Sequence, residues 1–298
     1  MSVFIDENTT VEVQGATGKE GSFWLKHMKE MGTKVVFGVT PGKEGQEVDG
    51  VPVYHSVQRG MKKSPNGPAE LAMLFVPPRF TKDAVFEALD AGIKKIVTIA
   101  DGIPIHECLQ IRRAALSCDA MVIGGNSSGI VSPGKAMAGF IPYWIERVYK
   151  KGNIGVMTRS GSLTNEVTAE VVKGGFGVST LLGVGGDMIP GTRFAELLPL
   201  FERDPETHAV VIIGEIGGSM EEEVAEAMEA GIFTKPLVAF IGGRTAPEGK
   251  RMGHAGAIVS GGRGTAAGKV KALEKAGALT AAKPSQVGAL LKQALGVS

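Results

Sequence analysis

One histidine and one glutamate form the pair in this sequence that is best suited to covalent chemistry. His254 stands between Gly253 and Gly256 in a predicted loop, and these small neighbours leave space around its ring for a bulky group. Glu215 comes at the end of a predicted strand, in a glycine-rich segment. A carboxylate on one imidazole nitrogen makes the other nitrogen more nucleophilic. The pair therefore predicts a nucleophilic histidine oriented by Glu215, with helix capping by Glu215 as the alternative.

Two turns have the composition of anion-binding sites, because each is expected to open a helix directly after a strand. The segment 158–164 reads Thr-Arg-Ser-Gly-Ser-Leu-Thr, and its hydroxyls and amides predict a phosphate-binding helix start at Ser160, Gly161 and Ser162. The segment 15–21 has the spacing G-x-x-G-x-x-G, which indicates a nucleotide site of Rossmann type. Alternatively, these glycines only let the helix pack closely on the strand.

A lysine after the second strand narrows the choice of nucleotides that the first turn can bind. That strand ends without the Asp or Glu that holds a ribose diol, and Pro41-Gly42-Lys43 follows. A cation at Lys43 would meet an extra ribose phosphate, as in coenzyme A or a 2′-phosphorylated dinucleotide. An oxidoreductase that uses NADP is therefore an alternative, although the sequence offers no acid or base beside a nicotinamide.

The elements that must position these residues alternate between short apolar runs and amphipathic stretches, which is typical of parallel α/β sheets. The predicted strands are 11–14, 34–38, 71–76, 95–99 and 120–124, then 153–157, 179–184, 209–213, 237–241 and 257–260. The predicted helices are 22–31, 82–91, 164–172, 221–230 and 284–295. The periodicity lapses between them, which predicts one domain over 1–128, a linker over 129–150 and a second domain over 151–298. Loops 183–187, 190–192 and 214–218 should share the carboxyl edge of the second sheet.

The overall composition excludes several classes of partner. The chain has 298 residues with 32 Lys and Arg against 31 Asp and Glu, so it lacks the field that would hold nucleic acid or an anionic membrane. Cys108 and Cys118 form neither a disulfide framework nor a recognisable metal site. No apolar run is long enough to span a bilayer, and no targeting segment is evident. We expect a cytoplasmic protein without a metal site.

Six motifs follow one another along the chain. They are Gln14-Gly15-x-Thr17-Gly18, Gly38-Val39-Thr40-Pro41-Gly42-Lys43, Arg159-Ser160-Gly161-x-Leu163-Thr164, Gly185-Gly186-Asp187, Gly214-Glu215-Ile216-Gly217-Gly218 and Lys250-Arg251-Met252-Gly253-His254-Ala255-Gly256-Ala257. In this order and spacing the chain resembles the α subunit of succinyl-CoA synthetase, from about Ile5 to the C-terminus. The resemblance implies an N-terminal Rossmann-like CoA-binding domain followed by a flavodoxin-like, doubly wound ligase domain.

The resemblance also implies a reaction and the residues that perform it. His254 would carry a phosphoryl group, with Glu215 as its orienting carboxylate, and the product would be an acyl-CoA made from a small di- or tricarboxylic acid through an acyl phosphate. A β subunit with an ATP-grasp domain would bind ATP or GTP with Mg²⁺ and complete an αβ or α2β2 assembly. The residues expected to contact CoA are Thr17, Gly18, Lys19, Glu20, Lys43, Ile99, Ala100 and Asp101.

Two departures from the family pattern lie in the region that the resemblance assigns to the acid. Asn165 stands where succinate enzymes usually have tyrosine, and 126–129 reads Asn-Ser-Ser-Gly where they usually have Asn-Cys-Pro-Gly. A small amide opens volume and adds hydrogen-bonding capacity, which favours malate, citrate or a sulfonated acid. ATP-citrate lyase and citryl-CoA synthetase chains also resemble this segment in having Asn. Succinate itself, a CoA-binding regulatory protein without turnover and a non-enzymatic scaffold subunit are the alternatives.

Overall fold

A computed structural model describes residues 2–247, 249–259, 262 and 264–297 of the chain. The chain divides into two compact units. The first comprises Phe4–Ile141 together with Ile189–Thr192, and the second is formed mainly by Pro142–Met188 and by the chain after Thr192. No helix among the described residues is long and apolar enough to cross a membrane.

The first unit contains a sheet of seven strands in the order β3-β4-β2-β1-β5-β6-β7. The strands are β1 Thr10–Gln14, β2 Lys34–Val39, β3 Glu47–Val48, β4 Val51–Tyr54, β5 Leu71–Leu74, β6 Lys95–Thr98 and β7 Met121–Ile123. All neighbours are parallel except β3 and β4. The helices are α1 Lys19–Met31, α2 Val57–Lys63, α3 Pro78–Asp90 and α4 Ile105–Ser117. The five predicted strands are confirmed, whereas β3, β4, α2 and α4 had not been predicted.

A hairpin of β8 Gly129–Ser132 and β9 Ala136–Gly139 also belongs to the first unit, within the segment that the sequence assigned to a linker. Its backbone is tied to that unit by side chains. Thr33 Oγ1 donates to the Met137 carbonyl and accepts from the Met137 amide, both at 2.9 Å. Ser132 Oγ donates to the Ile5 carbonyl at 3.0 Å. The domain boundary predicted from the sequence stays a prediction.

In the second unit, five parallel strands have the order β14-β13-β12-β10-β11. They are β10 Lys151–Thr158, β11 Val178–Gly183, β12 Ala209–Glu215, β13 Leu237–Gly242 and β14 Leu279–Ala281. The helices are α5 Glu146–Tyr149, α6 Gly161–Lys173, α7 Phe194–Arg203, α8 Met220–Glu229, α9 Ala266–Lys275 and α10 Val287–Leu295, with a 3₁₀ turn at Pro284–Gln286. Every residue of β12 is buried, as expected for a parallel strand covered on both faces.

The strand predicted at 257–260 is wrong within the described residues, and Ser260 lies outside them. Residues 257–259 form no strand, because their carbonyls bond inside the loop that precedes them: the Met252 amide donates to Ala257 and the Gly249 amide to Val259. The fifth strand is β14, a segment of three residues. The loop 190–192 is likewise part of the first unit, where the Gly191 amide donates to the Gly124 carbonyl at 2.8 Å.

In each sheet the chain adds strands on one side of the first strand and then crosses to its other side, which creates a switch point beside that strand. In the first unit the chain winds outward from β1 to β4 and then crosses to β5 on the other side of β1. In the second unit it crosses from β11 to β12 on the other side of β10. Ligands of doubly wound sheets bind at the carboxyl ends of the strands beside such a switch point. The edges next to β1 and β5, and next to β10 and β12, are therefore the places to look for function.

Candidate active site

His254 and Glu215 meet at the carboxyl edge of the second sheet. Glu215 is the last residue of β12, and His254 lies in the loop of 249–259. His254 Nδ1 lies 2.7 Å from Glu215 Oε2, with side-chain exposures of 22% and 9%. When Nδ1–H donates to the carboxylate, the lone pair of the neutral ring is on Nε2. The arrangement can therefore present Nε2 as a nucleophile.

The space for the imidazole comes from a glycine that the sequence did not single out for that purpose. A Cβ at Gly186 would lie 2.4 Å from His254 Cγ and 2.5 Å from its Nδ1. A Cβ at Gly253 would meet no atom within 4 Å, and one at Gly256 would lie 2.7 Å from Arg159 Nη2. Gly186 thus makes room for the ring, while Gly256 makes room for a buried arginine.

Arg159 is a partner of Glu215 that the sequence did not identify. Its Nη2 lies 3.2 Å from Glu215 Oε1 as an ion pair, and its Nη1 donates to the Gly217 carbonyl at 3.2 Å. Arg159 directly follows β10, which is the neighbour of β12. The only signal in the sequence was its place beside Ser160 in a predicted anion-binding turn.

The predicted phosphate-binding turn forms the start of helix α6. Ser160 is the N-cap residue, and its hydroxyl accepts from the Leu163 amide at 3.5 Å. Gly161 and Ser162 are exposed, and a Cβ at Gly161 would meet no atom within 4 Å. Open amides at the positive end of a helix suit an anion. Because Arg159 joins this turn to Glu215, the helix start and the imidazole belong to the same sheet edge.

Asn165, the predicted acid-binding residue, lies on the exposed side of α6 and contacts a tyrosine. The Tyr149 hydroxyl donates to Asn165 Oδ1 at 2.6 Å. Burial raises the pKa of Tyr149 to about 12, so the hydroxyl keeps its proton at neutral pH. By donating to Oδ1, Tyr149 fixes the orientation of the Asn165 amide. The Nδ2 donors of Asn165 then point away from Tyr149. No pattern in the sequence indicated this contact.

The residues predicted to contact CoA lie at the carboxyl edge of the first sheet, in three loops. Gly18 is the N-cap of α1, and Lys19 and Glu20 form its exposed first turn. Thr17 contacts Thr40, with Oγ1 atoms 3.2 Å apart, and this joins the first turn to the one that carries exposed Lys43. The loop of Ile99, Ala100 and Asp101 follows β6, which β5 separates from β1.

A cavity of about 460 Å³ opens at the switch point of the first sheet. Val39, Pro41, Val76, Phe80 and Ala84 give it mainly apolar walls, and Gly15 brings the glycine-rich turn to its rim. Such walls suit a flat ring, and the neighbouring helix start suits phosphate. Phe80 and Val76 were missed because apolar residues near a helix start look like core in a sequence.

Two family models match the chain, each over its own segment. A family model described as a CoA binding domain matches residues 6–102, and one described as CoA-ligase matches 157–279. The chain is 77% identical over 99% of its length to all of an ADP-forming sulfoacetate-CoA ligase subunit from Bilophila wadsworthia, and 66% identical to 99% of one from an Acholeplasma species. It is 46% identical to a succinate–CoA ligase α subunit from Aquifex aeolicus, over 100% of this chain and 96% of that one.

The chain belongs to the CoA-ligase family. The prediction of a CoA-binding domain followed by a ligase domain in an acid–CoA ligase subunit is thereby confirmed. Among solved structures, ATP citrate lyase from Methanosaeta concilii superposes with a TM-score of 0.88 at 23% identity, over 98% of this chain. The chain spans 51% of that longer protein, and the likeness shows a common fold.

Proposed function

We propose that this family member is the α subunit of an ADP-forming ligase in which His254 carries phosphate. The γ-phosphoryl group of a nucleoside triphosphate passes to Nε2 and the diphosphate leaves. A carboxylate oxygen of the acid then attacks the phosphorus, which restores the imidazole and forms an acyl phosphate. Finally the CoA thiol, losing its proton, attacks the acyl carbon and releases phosphate. The single observation that carries this proposal is the 2.7 Å contact between His254 Nδ1 and Glu215 Oε2.

CoA is assigned to the first unit, and the nucleotide to a partner. The apolar cavity at the end of β1 fits a nucleotide base, and the exposed start of α1 with Lys43 fits phosphate groups. A β subunit with an ATP-grasp domain would hold ATP or GTP with Mg²⁺, in an αβ or α2β2 assembly. The α-subunit names of several relatives support such a partner. A cytoplasmic location belongs to the same proposal.

Sulfoacetate is the acid that we propose first. The two relatives at 77% and 66% identity are named sulfoacetate-CoA ligase subunits, whereas those named for succinate are 46–49% identical. Asn165, held by Tyr149, offers amide N–H donors, and a sulfonate presents three acceptor oxygens. The second carboxylate of succinate offers two acceptor oxygens in a plane, so donors arranged around the three oxygens of a sulfonate would be only partly satisfied by succinate.

Phosphate transfer to the histidine tests the reaction. The chain, co-purified with its partner subunit, is incubated with ATP labelled in the γ-phosphate. We expect one acid-labile phosphate per chain, chased off by acid plus CoA, and complete loss of label in His254→Ala. His208→Ala is the matched control, because His208 contacts Asn153 away from this edge. Undiminished labelling of His254→Ala would refute the phosphohistidine.

An acid panel tests the substrate. Thioester formation is measured with sulfoacetate, succinate, malate and citrate at equal concentrations. We expect kcat/KM for sulfoacetate to exceed that for succinate by at least about 100-fold, and Asn165→Tyr to narrow that ratio. A preference for succinate in the unaltered complex would overturn the assignment of the acid and leave the phosphohistidine untouched.

A further inference from the structure

A chain of buried charges lies behind Glu215, and the reaction as proposed does not use it. Glu221, on the first turn of α8, is fully buried and forms an ion pair with the fully buried Lys269 of α9. Glu221 Oε1 accepts from the Glu215 backbone amide at 3.1 Å and lies 4.0 Å from Arg159 Nη1. Lys269 Nζ donates to the Gly217 carbonyl at 2.9 Å. Lys269 Nζ also lies 3.4 Å from Oε2 of the partly exposed Glu222. Two cations and two buried carboxylates, with Glu222 at their margin, thus lie between α9 and the imidazole.

Two glycines beside the site leave room for these buried charges. A Cβ at Gly214 would lie 2.4 Å from Glu221 Oε1, and one at Gly256 would lie 2.7 Å from Arg159 Nη2. Gly214 directly precedes Glu215 in β12, and Gly256 belongs to the loop that presents His254. The strand end and the loop can therefore approach the buried ion pairs because they carry no side chain at these two positions.

Stability does not account for four buried charges. Removing two ion pairs from water carries a large desolvation cost, and well-packed apolar residues of similar volume are often as stabilising or more so. The charges do fix geometry. Arg159 forms an ion pair with Oε1 of Glu215, Glu221 accepts from the backbone amide of Glu215, and Lys269 donates to the Gly217 carbonyl to which Arg159 also donates. Only Oε2 of Glu215 is left to face His254 Nδ1.

We propose that Arg159, Glu221 and Lys269 are positioning residues that hold the Glu215 carboxylate on His254 Nδ1, so that Nε2 is the nitrogen that takes the phosphoryl group. This inference rests on the proposed function. It adds that the tautomer of His254 is set by buried residues on the far side of Glu215. Displacement of Glu215 by less than 1 Å should slow phosphoryl transfer, because a reacting group misplaced by that distance can cost about 100-fold.

The first test is Arg159→Lys in the complex with the partner subunit. It keeps the charge but loses the planar fork that reaches Glu215 and Gly217 together. We expect the rate of His254 phosphorylation to fall about 10- to 100-fold, while CoA affinity is unchanged. Glu221→Gln should act in the same direction. Glu223→Gln is the matched control, since Glu223 lies on the same turn and pairs with Arg193 at 2.6 Å outside this chain of charges.

The deciding readout does not depend on turnover. In ¹⁵N-histidine-labelled, unphosphorylated complex, the His254 ring should report an Nδ1–H tautomer, and Arg159→Lys and Glu221→Gln should each shift it towards a mixture. In ³¹P spectra the phosphorylated protein should carry phosphate on Nε2, and the variants should show added Nδ1 phosphate or loss of signal. Folded variants with an unchanged tautomer and rate would overturn the positioning role. Label on His254→Ala would instead overturn the phosphohistidine itself.

Discussion

Two fully buried glutamates, one in each unit, have different neighbouring groups. Glu12 lies in the middle of β1, and its Oε1 accepts from Gln14 Nε2 at 3.1 Å. Its Oε2 has no hydrogen-bond partner among the described residues, and burial, reinforced by Glu87, raises the pKa of its carboxyl well above the usual value. Glu221 is as buried but pairs with Lys269 and bonds a backbone amide.

Burial alone therefore does not determine the role of a carboxylate. Without a cation, burial favours the neutral acid, which is a polar filler inside the core. With a cation and a backbone donor, a buried carboxylate becomes a fixed point from which other groups can be oriented. The second arrangement is the one found next to the proposed nucleophile, and each of the following substitutions removes one part of the contrast.

The largest effect is expected when Glu221 loses its cation. Lys269→Met leaves a buried carboxylate whose nearest arginine nitrogen is 4.0 Å away, which should lower the free energy of unfolding by about 3–5 kcal/mol. Urea unfolding of the purified chain measures it. Lys275→Met, on the same helix, removes an exposed ion pair with Glu229 and should change the free energy of unfolding far less than Lys269→Met does.

A double variant sharpens that test. Glu221→Leu combined with Lys269→Met removes both charges, and it should recover part of the stability lost in Lys269→Met. The recovery is partial because the Glu215 amide and the Gly217 carbonyl lose a partner and Glu222 loses its cation. Equal losses in Lys269→Met and Lys275→Met would mean that the buried pair behaves like a surface pair, and the contrast with Glu12 would then have no energetic basis.

These two environments also mark what a sequence can reveal. His254 and Glu215 could be paired because glycines and strand ends expose them. Glu221 and Lys269 occupy polar positions on amphipathic helices, and there they look like solvated charges. Only the packing of α8 against α9 shows that they are buried.

The fold shows the same division between strong and weak signals. The long central strands have continuous apolar runs and were predicted, whereas α4 was not. Three of its apolar residues are more than half exposed, and they blur the helical periodicity that the buried Ile111 would mark: Ile105, Leu109 and Leu116. Strand β14 is a short Leu-Thr-Ala segment without the Val and Ile that marked the equally short β7.

A smaller effect is expected when the space next to Glu221 is filled. In Gly214→Ala the new Cβ would lie 2.4 Å from Glu221 Oε1, so the carboxylate or the strand must shift. Overpacking of this kind costs roughly 1–3 kcal/mol. In Gly214→Ala with Glu221→Asp, the shorter side chain should relieve the clash, and the two losses should be less than additive in a double-mutant cycle. Strict additivity would show that Gly214 and Glu221 do not interact.

The smallest effect, and the only gain in stability, is expected at Glu12. The pKa of Glu12 is raised in the folded chain, so below the ordinary carboxyl pKa Glu12 is protonated in both the folded and the unfolded state. As the pH rises, the unfolded chain releases this proton first. The free energy of unfolding therefore decreases. The Gln side chain of Glu12→Gln cannot titrate, so the free energy of unfolding of this variant should match that of the parent at about pH 4 and exceed it by about 1 kcal/mol at about pH 8.

Glu70→Gln is the control at an exposed carboxylate, and it should change the free energy of unfolding by less than about 0.5 kcal/mol at either pH. If Glu12→Gln were instead destabilised as the pH rises, Glu12 would have to be a stabilised carboxylate like Glu221, and the contrast between the two units would disappear.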